Sequence, residues 1–125
     1  MSLPGPEGRK RFRQEEHLKR RAELTRVFKK GRVVSCPGVK LFFLVNGLPH
    51  NRIVITFVRK YGNAVQRNRA RRLGREAYRL MKGKLKTGYD LVLLVSPHIK
   101  EADRSSLGES TQQLQTLFRK AGLWL

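Results

Sequence analysis

Residues 59–79, RKYGNAVQRNRARRLGREAYR, limit what this chain can become more than any other stretch. Arg67, Arg69, Arg71, Arg72 and Arg75 fall within nine residues, with Asn68 among them and Gly62-Asn63 just upstream. Turn residues followed by a long run without proline predict a loop opening into a helix. At about 100° per residue, Ala70, Leu73, Ala77, Leu80 and Met81 share one arc. Arg67, Asn68, Arg71, Arg72, Arg75 and Arg79 share the opposite arc; Arg69 lies near the seam, and Val65 falls on the polar side. Like charges at 67, 71, 75 and 79 repel along an isolated helix, and only Glu76 is close enough in sequence to relieve them. Such a helix needs a core under its apolar arc and a polyanion over the other. Guanidinium forks match phosphate oxygens bidentately and stack on bases, as a lysine point charge does not.

The charge balance sharpens this. Twenty-eight Lys and Arg oppose nine Asp and Glu in 125 residues, a formal charge of +19. No acid occurs between Glu23 and Glu76, an interval holding thirteen basic residues, whereas from residue 101 onward three acids balance three bases. The positive field therefore belongs to the middle of the chain and draws in nucleic acid or an anionic surface. The length suits one domain with a modest core. A single cysteine, Cys36, rules out an intramolecular disulfide and fits a reducing compartment; it reads as a small hydrophobe at a strand entry. No apolar run reaches the ~20 residues of a membrane span, and the basic N-terminus lacks a signal-peptide core. The expectation is a cytoplasmic protein.

Along the chain, residues 1–11 are Pro, Gly and charge, expected to form a flexible arm, with one folded domain over 12–125. A short helix is predicted over 22–30, with Leu24, Val27 and Phe28 at i, i+3, i+4 and Gly31 as its stop. Val39–Val45 and Arg52–Val58 read as strands, and the NGLPHN turn signal between them predicts an antiparallel hairpin. Alternation puts Val39, Leu41, Phe43 and Val45 on one face and Lys40, Phe42 and Leu44 on the other. After the arginine-rich helix, Tyr89–Val95 is a nearly all-apolar strand suited to the sheet interior, stopped by Pro97. A final helix over 106–121 lines up Leu107, Leu114, Leu117, Phe118 and Ala121. The order α-β-β-α-β-α makes an α+β sandwich, helices on a small sheet.

Catalytic chemistry is missing. His17, His50 and His98 are scattered without Cys or carboxylate at ligand spacing. There is no phosphate-binding G-x-x-x-x-G-K-[ST], no G-x-S-x-G and no paired carboxylates; Asp90 and Asp103 sit where capping and turn roles are usual. If the chain serves an enzyme, another molecule supplies the reactive groups.

The run GNAVQRNRARRLGREAY resembles the signature of the protein subunit of bacterial ribonuclease P, an R-N-R helix preceded by G-N-A-V. Leu18, Leu24 to Gly31, Val58-Arg59-Lys60, Gly88-Tyr89-Asp90 and Leu117 to Lys120 agree in order and spacing, so the likeness runs from about residue 9 to the end. The resemblance implies a ribonucleoprotein in which the partner RNA is the ribozyme, using Mg²⁺ to remove the 5′ leader of precursor tRNA. It also implies a left-handed β-α-β crossover, against the right-handed default. By position, Arg59, Lys60, Asn63, Arg67, Asn68, Arg69, Arg71, Arg72 and Arg75 fall to the catalytic-RNA contact. Leu24, Phe28, Lys40 and Phe42 fall to a cleft for the single-stranded leader, with Leu24 standing where relatives often carry Phe. Plain core packing competes for both aromatics; Phe42 shares its face with Lys40, which favours a groove. Two other classes compete: a ribosomal or general RNA-binding protein without a role in tRNA processing, and a DNA-architectural protein, disfavoured because no recognition or wedge pattern is present. The partners implied are the catalytic RNA and precursor tRNA, with neither membrane nor DNA.

Overall fold

Tyr89–Val95 is the strand on which the sheet is assembled, because its apolar run has to be covered on both sides. Asp90, Leu91, Val92 and Leu93 within it are all buried. In the computed structural model, which describes residues 17–96 and 107–125, this strand is β4. The elements are α1 (Arg21–Lys30), β1 (Arg32–Cys36), β2 (Val39–Val45), β3 (Arg52–Phe57), α2 (Ala64–Met81), a 3-10 turn (Lys82–Lys84), β4 and α3 (Leu107–Lys120). They form the expected α+β sandwich with one extra strand. The expected arm over 1–11, the stop at Pro97, His98, Asp103 and the first residue of the final helix lie outside the described residues.

The sheet order is β1-β2-β4-β3, with β2 antiparallel and β3 parallel to β4. This corrects the hairpin expected of β2 and β3, which are not neighbours. Residues 46–51 instead carry the chain past the start of β4, where Val45 pairs with Tyr89 and Arg52 with Asp90. Two inter-strand spacings, about 10 Å, are within reach of that loop, and the doubly buried β4 claims the place between. Asn51, buried in the loop, accepts from Tyr89 N at 2.8 Å and donates to Lys86 O at 2.9 Å, tying the loop to the entry of β4. The real hairpin is β1–β2, in register Cys36 to Val39 across Pro37-Gly38. Proline followed by glycine at φ 88° suits a type II turn. Cys36 closes β1 rather than opening β2, and burial pushes its thiol up.

Strand alternation then divides the core in two. Val39, Leu41, Phe43, Ile53, Ile55, Leu91 and Leu93 face α2 and α3, meeting Ala77, Tyr78, Met81, Leu114, Leu117 and Phe118. On the other face Val92, Phe42, Leu44 and Val54 pack with Leu18, Leu24 and Val27, so α1 lies there. Of the first arc predicted for α2, Ala77 and Met81 are buried, but Leu80 is 42% exposed and Tyr78, 1% exposed, is buried in its stead. The helix meets β3 along Gly74, where an added Cβ would come within 2.6 Å of Ile55 Cδ1. That close approach centres the buried stripe near Gly74, Ala77 and Met81, leaving Leu80 roughly 80–120° away at the rim. Beyond α3, Leu85 and Trp124 form an antiparallel bridge, with the Arg119 guanidinium 5.2 Å above the Trp124 ring.

Candidate nucleic-acid interface

Asn63 starts α2. Its side-chain oxygen accepts from Gln66 N at 2.9 Å, and Gln66 Oε1 accepts from Asn63 N at 3.1 Å, a reciprocal capping box. This holds the first turn, whose Val65 is 76% exposed. From there the arginines rise in order. Asn68, Arg71, Arg72, Arg75, Glu76 and Arg79 line an open groove along the outer face of the helix. Asn68, Arg69, Arg72 and Arg75 are exposed, as are Arg59 and Lys60 before the helix.

Two of the arginines are aimed by neighbours that the sequence reading did not single out. Phe57 ends β3 and Tyr61 follows it, their rings 4.8 Å apart. The Arg71 and Arg67 guanidinium groups lie 5.2 and 5.9 Å from the Phe57 ring centre, within cation–π range. Arg67 also donates to Arg59 O at 2.9 Å, joining the loop to the helix, and its buried Nε has no hydrogen-bond partner. Arg71 donates to Asn68 Oδ1 at 3.0 Å. Burial raises the Tyr61 phenol, with Arg69 pulling it the other way, so Arg69 lies within electrostatic reach of the same pedestal. Arg79 binds Glu76 through two hydrogen bonds, the relief expected of that acid, and Glu76 is accordingly held below the usual carboxylate range. The signal that would have found Phe57 and Tyr61 is their place on the strand end and loop that feed the first helical turn.

The other four predicted residues come together on the opposite face of the sheet. Phe28 of α1 and Phe42 of β2 meet edge to face, centroids 4.8 Å apart at 71°. Leu24 packs half-buried beside them, Lys40 is exposed on the same side of β2, and Phe28 is 39% exposed. Phe42 is half-buried, so it both packs and shows a surface. Val33 of β1, directly across from Phe42 and 52% exposed, extends this apolar floor. It went unseen because β1 itself was not expected. The two candidate surfaces are therefore borne by two faces of one sheet, arginines over α2 and aromatics beside α1. Among the described residues no helix is long and apolar enough to cross a membrane.

Comparison with known proteins agrees with this geometry. The family model described as Ribonuclease P matches residues 12–122. The ribonuclease P protein component of Alkaliphilus metalliredigens is 38% identical over 106 residues, covering 85% of this chain and 93% of that protein. That of Caldanaerobacter subterraneus is 37% identical over 97 residues, covering 78% and 84%. Among solved structures, the ribonuclease P protein from Thermotoga maritima superposes with a TM-score of 0.77 at 28% identity, covering 84% of this chain and 96% of that one. The Staphylococcus aureus protein has a TM-score of 0.76 at 23% identity and shares the fold. With the matched region taking in α1, the whole sheet and the capped arginine helix, the chain belongs to the ribonuclease P protein family.

Proposed function

We propose that this chain binds the catalytic RNA of ribonuclease P through the α2 groove and the 5′ leader of precursor tRNA through the Phe28–Phe42 face, assisting Mg²⁺-dependent removal of the leader by the RNA. The observation that carries the reading is the arginine row itself. It is capped, backed by a buried face and partly pre-aimed by Phe57, so it meets phosphates with little ordering left to do. A ribosomal or general RNA-binding role is not favoured, since the relatives are ribonuclease P components.

The leader assignment follows from chemistry. Precursor and mature tRNA differ in their flanking single strands, and single strands are held by stacking on aromatics over a basic groove. Phe28 and Phe42 supply the rings; Lys40, with the exposed Arg26, Lys29, Lys30 and Arg32, supplies the charge. Leu24 adds packing without a ring to stack on. On this reading Mg²⁺ belongs with RNA oxygens of the holoenzyme. The reading also assigns the chain to the cytoplasm.

The test is reconstitution. Purified protein alone should leave precursor tRNA intact, and adding the matching catalytic RNA with Mg²⁺ should yield 5′-matured tRNA at physiological salt. Specific cleavage by RNA-free protein, after nuclease contamination is excluded, overturns the reading.

A further inference from the structure

α1 is lightly held. It has ten residues, no side-chain cap at Arg20, and Val27 as its one buried residue. A free helix of that length is marginal in water, so a few anchoring interactions decide where it lies. At its C-terminal end Gly31 sits hard against β2: an added Cβ would come within 2.9 Å of Phe43 O and 2.5 Å of Val27 O. At its N-terminal end Glu23 Oε2 accepts from Arg52 Nη1 at 2.8 Å. Arg52 is itself fixed on β4, donating through Nε and Nη2 to the two carboxylate oxygens of buried Asp90, each at 2.8 Å. Asn46 Nδ2 adds a further bond to Asp90 Oδ1 at 3.0 Å. The bonds to Asp90 lead in raising the Arg52 guanidinium above its ordinary value, so the fork keeps its charge.

Helix geometry converts this anchor into a statement about the aromatic face. Glu23 and Val27, four apart, form the row that meets the sheet; Leu24 and Phe28 form the next row, one position round. A swing or roll of α1 that parts Glu23 from Arg52 also moves Phe28 off Phe42. Charge gives an independent reason to single out Glu23. It borders a stretch free of acids up to Glu76, and a carboxylate beside a surface that receives a polyanion opposes binding. Its place there makes sense through what it does for Arg52.

We propose that Glu23, Arg52 and Asp90 are positioning residues: together they fix the pitch of α1 on the sheet, hold Phe28 edge-on to Phe42, and so set the cleft that takes a single-stranded RNA leader. The proposal rests on reading that cleft as the leader site.

The experiment uses the reconstituted holoenzyme with Glu23→Ala, Glu23→Gln, Phe28→Ala, Phe42→Ala and the Glu23→Ala/Phe28→Ala double variant. Affinity for leader-bearing precursor and for mature tRNA is measured, with melting curves and the Phe28–Phe42 ring NOE in the free protein. Glu23→Ala should reduce the preference for precursor by roughly three- to tenfold, weaken the ring NOE, and add little to Phe28→Ala in the double variant. Glu23→Gln, which still offers an oxygen to the guanidinium, should retain part of the preference. If Glu23→Ala instead tightens precursor binding, the carboxylate is merely a repulsive charge and the proposal falls. Equal losses for both tRNAs in step with the melting temperature overturn it too, since they mark a purely structural role. Phe42→Ala separates the two levels. If it leaves the precursor preference intact, the leader reading fails and takes the proposal with it. If it abolishes the preference while Glu23→Ala does not, the proposal alone fails.

Discussion

The two helices that carry the candidate surfaces are anchored in opposite ways. α2 has eighteen residues, a complete capping box, three buried side chains and a glycine pressed against β3. α1 has ten residues, no side-chain cap, one buried side chain and an ion pair. On the proposed function the difference falls between two ligand types. A folded RNA offers fixed phosphates, which reward a row of guanidinium groups that does not move. A single strand, on the proposed reading, is held by stacking, which needs Phe28 kept beside Phe42; for α1 the Glu23–Arg52 ion pair supplies the fixing that the cap and the buried side chains supply to α2.

The comparison breaks most readily at the cores beneath the helices. Tyr78→Ala under α2 should cost about 3–5 kcal/mol, as large aromatic truncations do, and abolish RNA binding by loss of fold in a denaturant titration. Val27→Ala under α1 removes two methyl groups and should cost about 2 kcal/mol; a cost equal to that of Tyr78→Ala would show α1 to be no less firmly built in.

Next come the arginines. Arg67→Ala and Arg72→Ala should each weaken catalytic-RNA binding on the order of tenfold, and flatten the log–log salt dependence by about 0.7–0.9 for each phosphate left without its guanidinium. Normal binding across a salt titration, or a defect confined to stability, would remove them from the interface. Arg67 should show the larger stability change of the two, since it joins Arg59 and Phe57.

Capping comes third. Asn63→Ala should lower stability by about 1 kcal/mol, whereas Arg20→Ala, at the matching position of α1, should change it by about a few tenths at most. Equal effects would erase the asymmetry of the two helix starts.

The smallest effect is electrostatic. Hydrogen bonding to Arg79 holds Glu76 below its ordinary value. Its contribution is therefore present above about pH 4.3, the free carboxyl value, and is lost as pH falls through the lower folded value. The pair is partly open to solvent, so Glu76→Gln should flatten the acid limb of a melting-temperature profile only slightly, and less so in high salt.

What the sequence made legible was whatever depends on periodicity within one element. The arginine arc of α2, the row Val39, Leu41 and Phe43 of β2 (though not its last member, the exposed Val45) and the Leu114, Leu117 and Phe118 stripe of α3 are all of that kind. What it hid was partnership. Nothing local in β2 and β3 says that a strand more than thirty residues further on will separate them; that follows only from the double burial of β4. β1 was obscured by charge before it and a turn after it, and with it went Val33. Tyr78 and Leu80 exchange places because Gly74, a residue without a side chain to count, decides where the helix touches down. The Phe57–Tyr61 pedestal and the Glu23–Arg52–Asp90 chain join side chains from separate elements, beyond the reach of any pattern within one.

The place of β4 also has a consequence in time. Among the described residues β3 takes its strand partner from β4 alone, apart from the short bridge at His17, and β2 likewise lacks its inner neighbour until β4 exists. A ribosome adding about 5–20 residues per second needs roughly 2–8 s to go from Phe57 to Val95. During that interval the arginine segment has been synthesised but the sheet beneath it has not closed, and the residues of α3 that complete the core follow later still. On the proposed function, the newborn chain thus carries its strongest attraction for RNA before it carries the fold that would make the attraction selective.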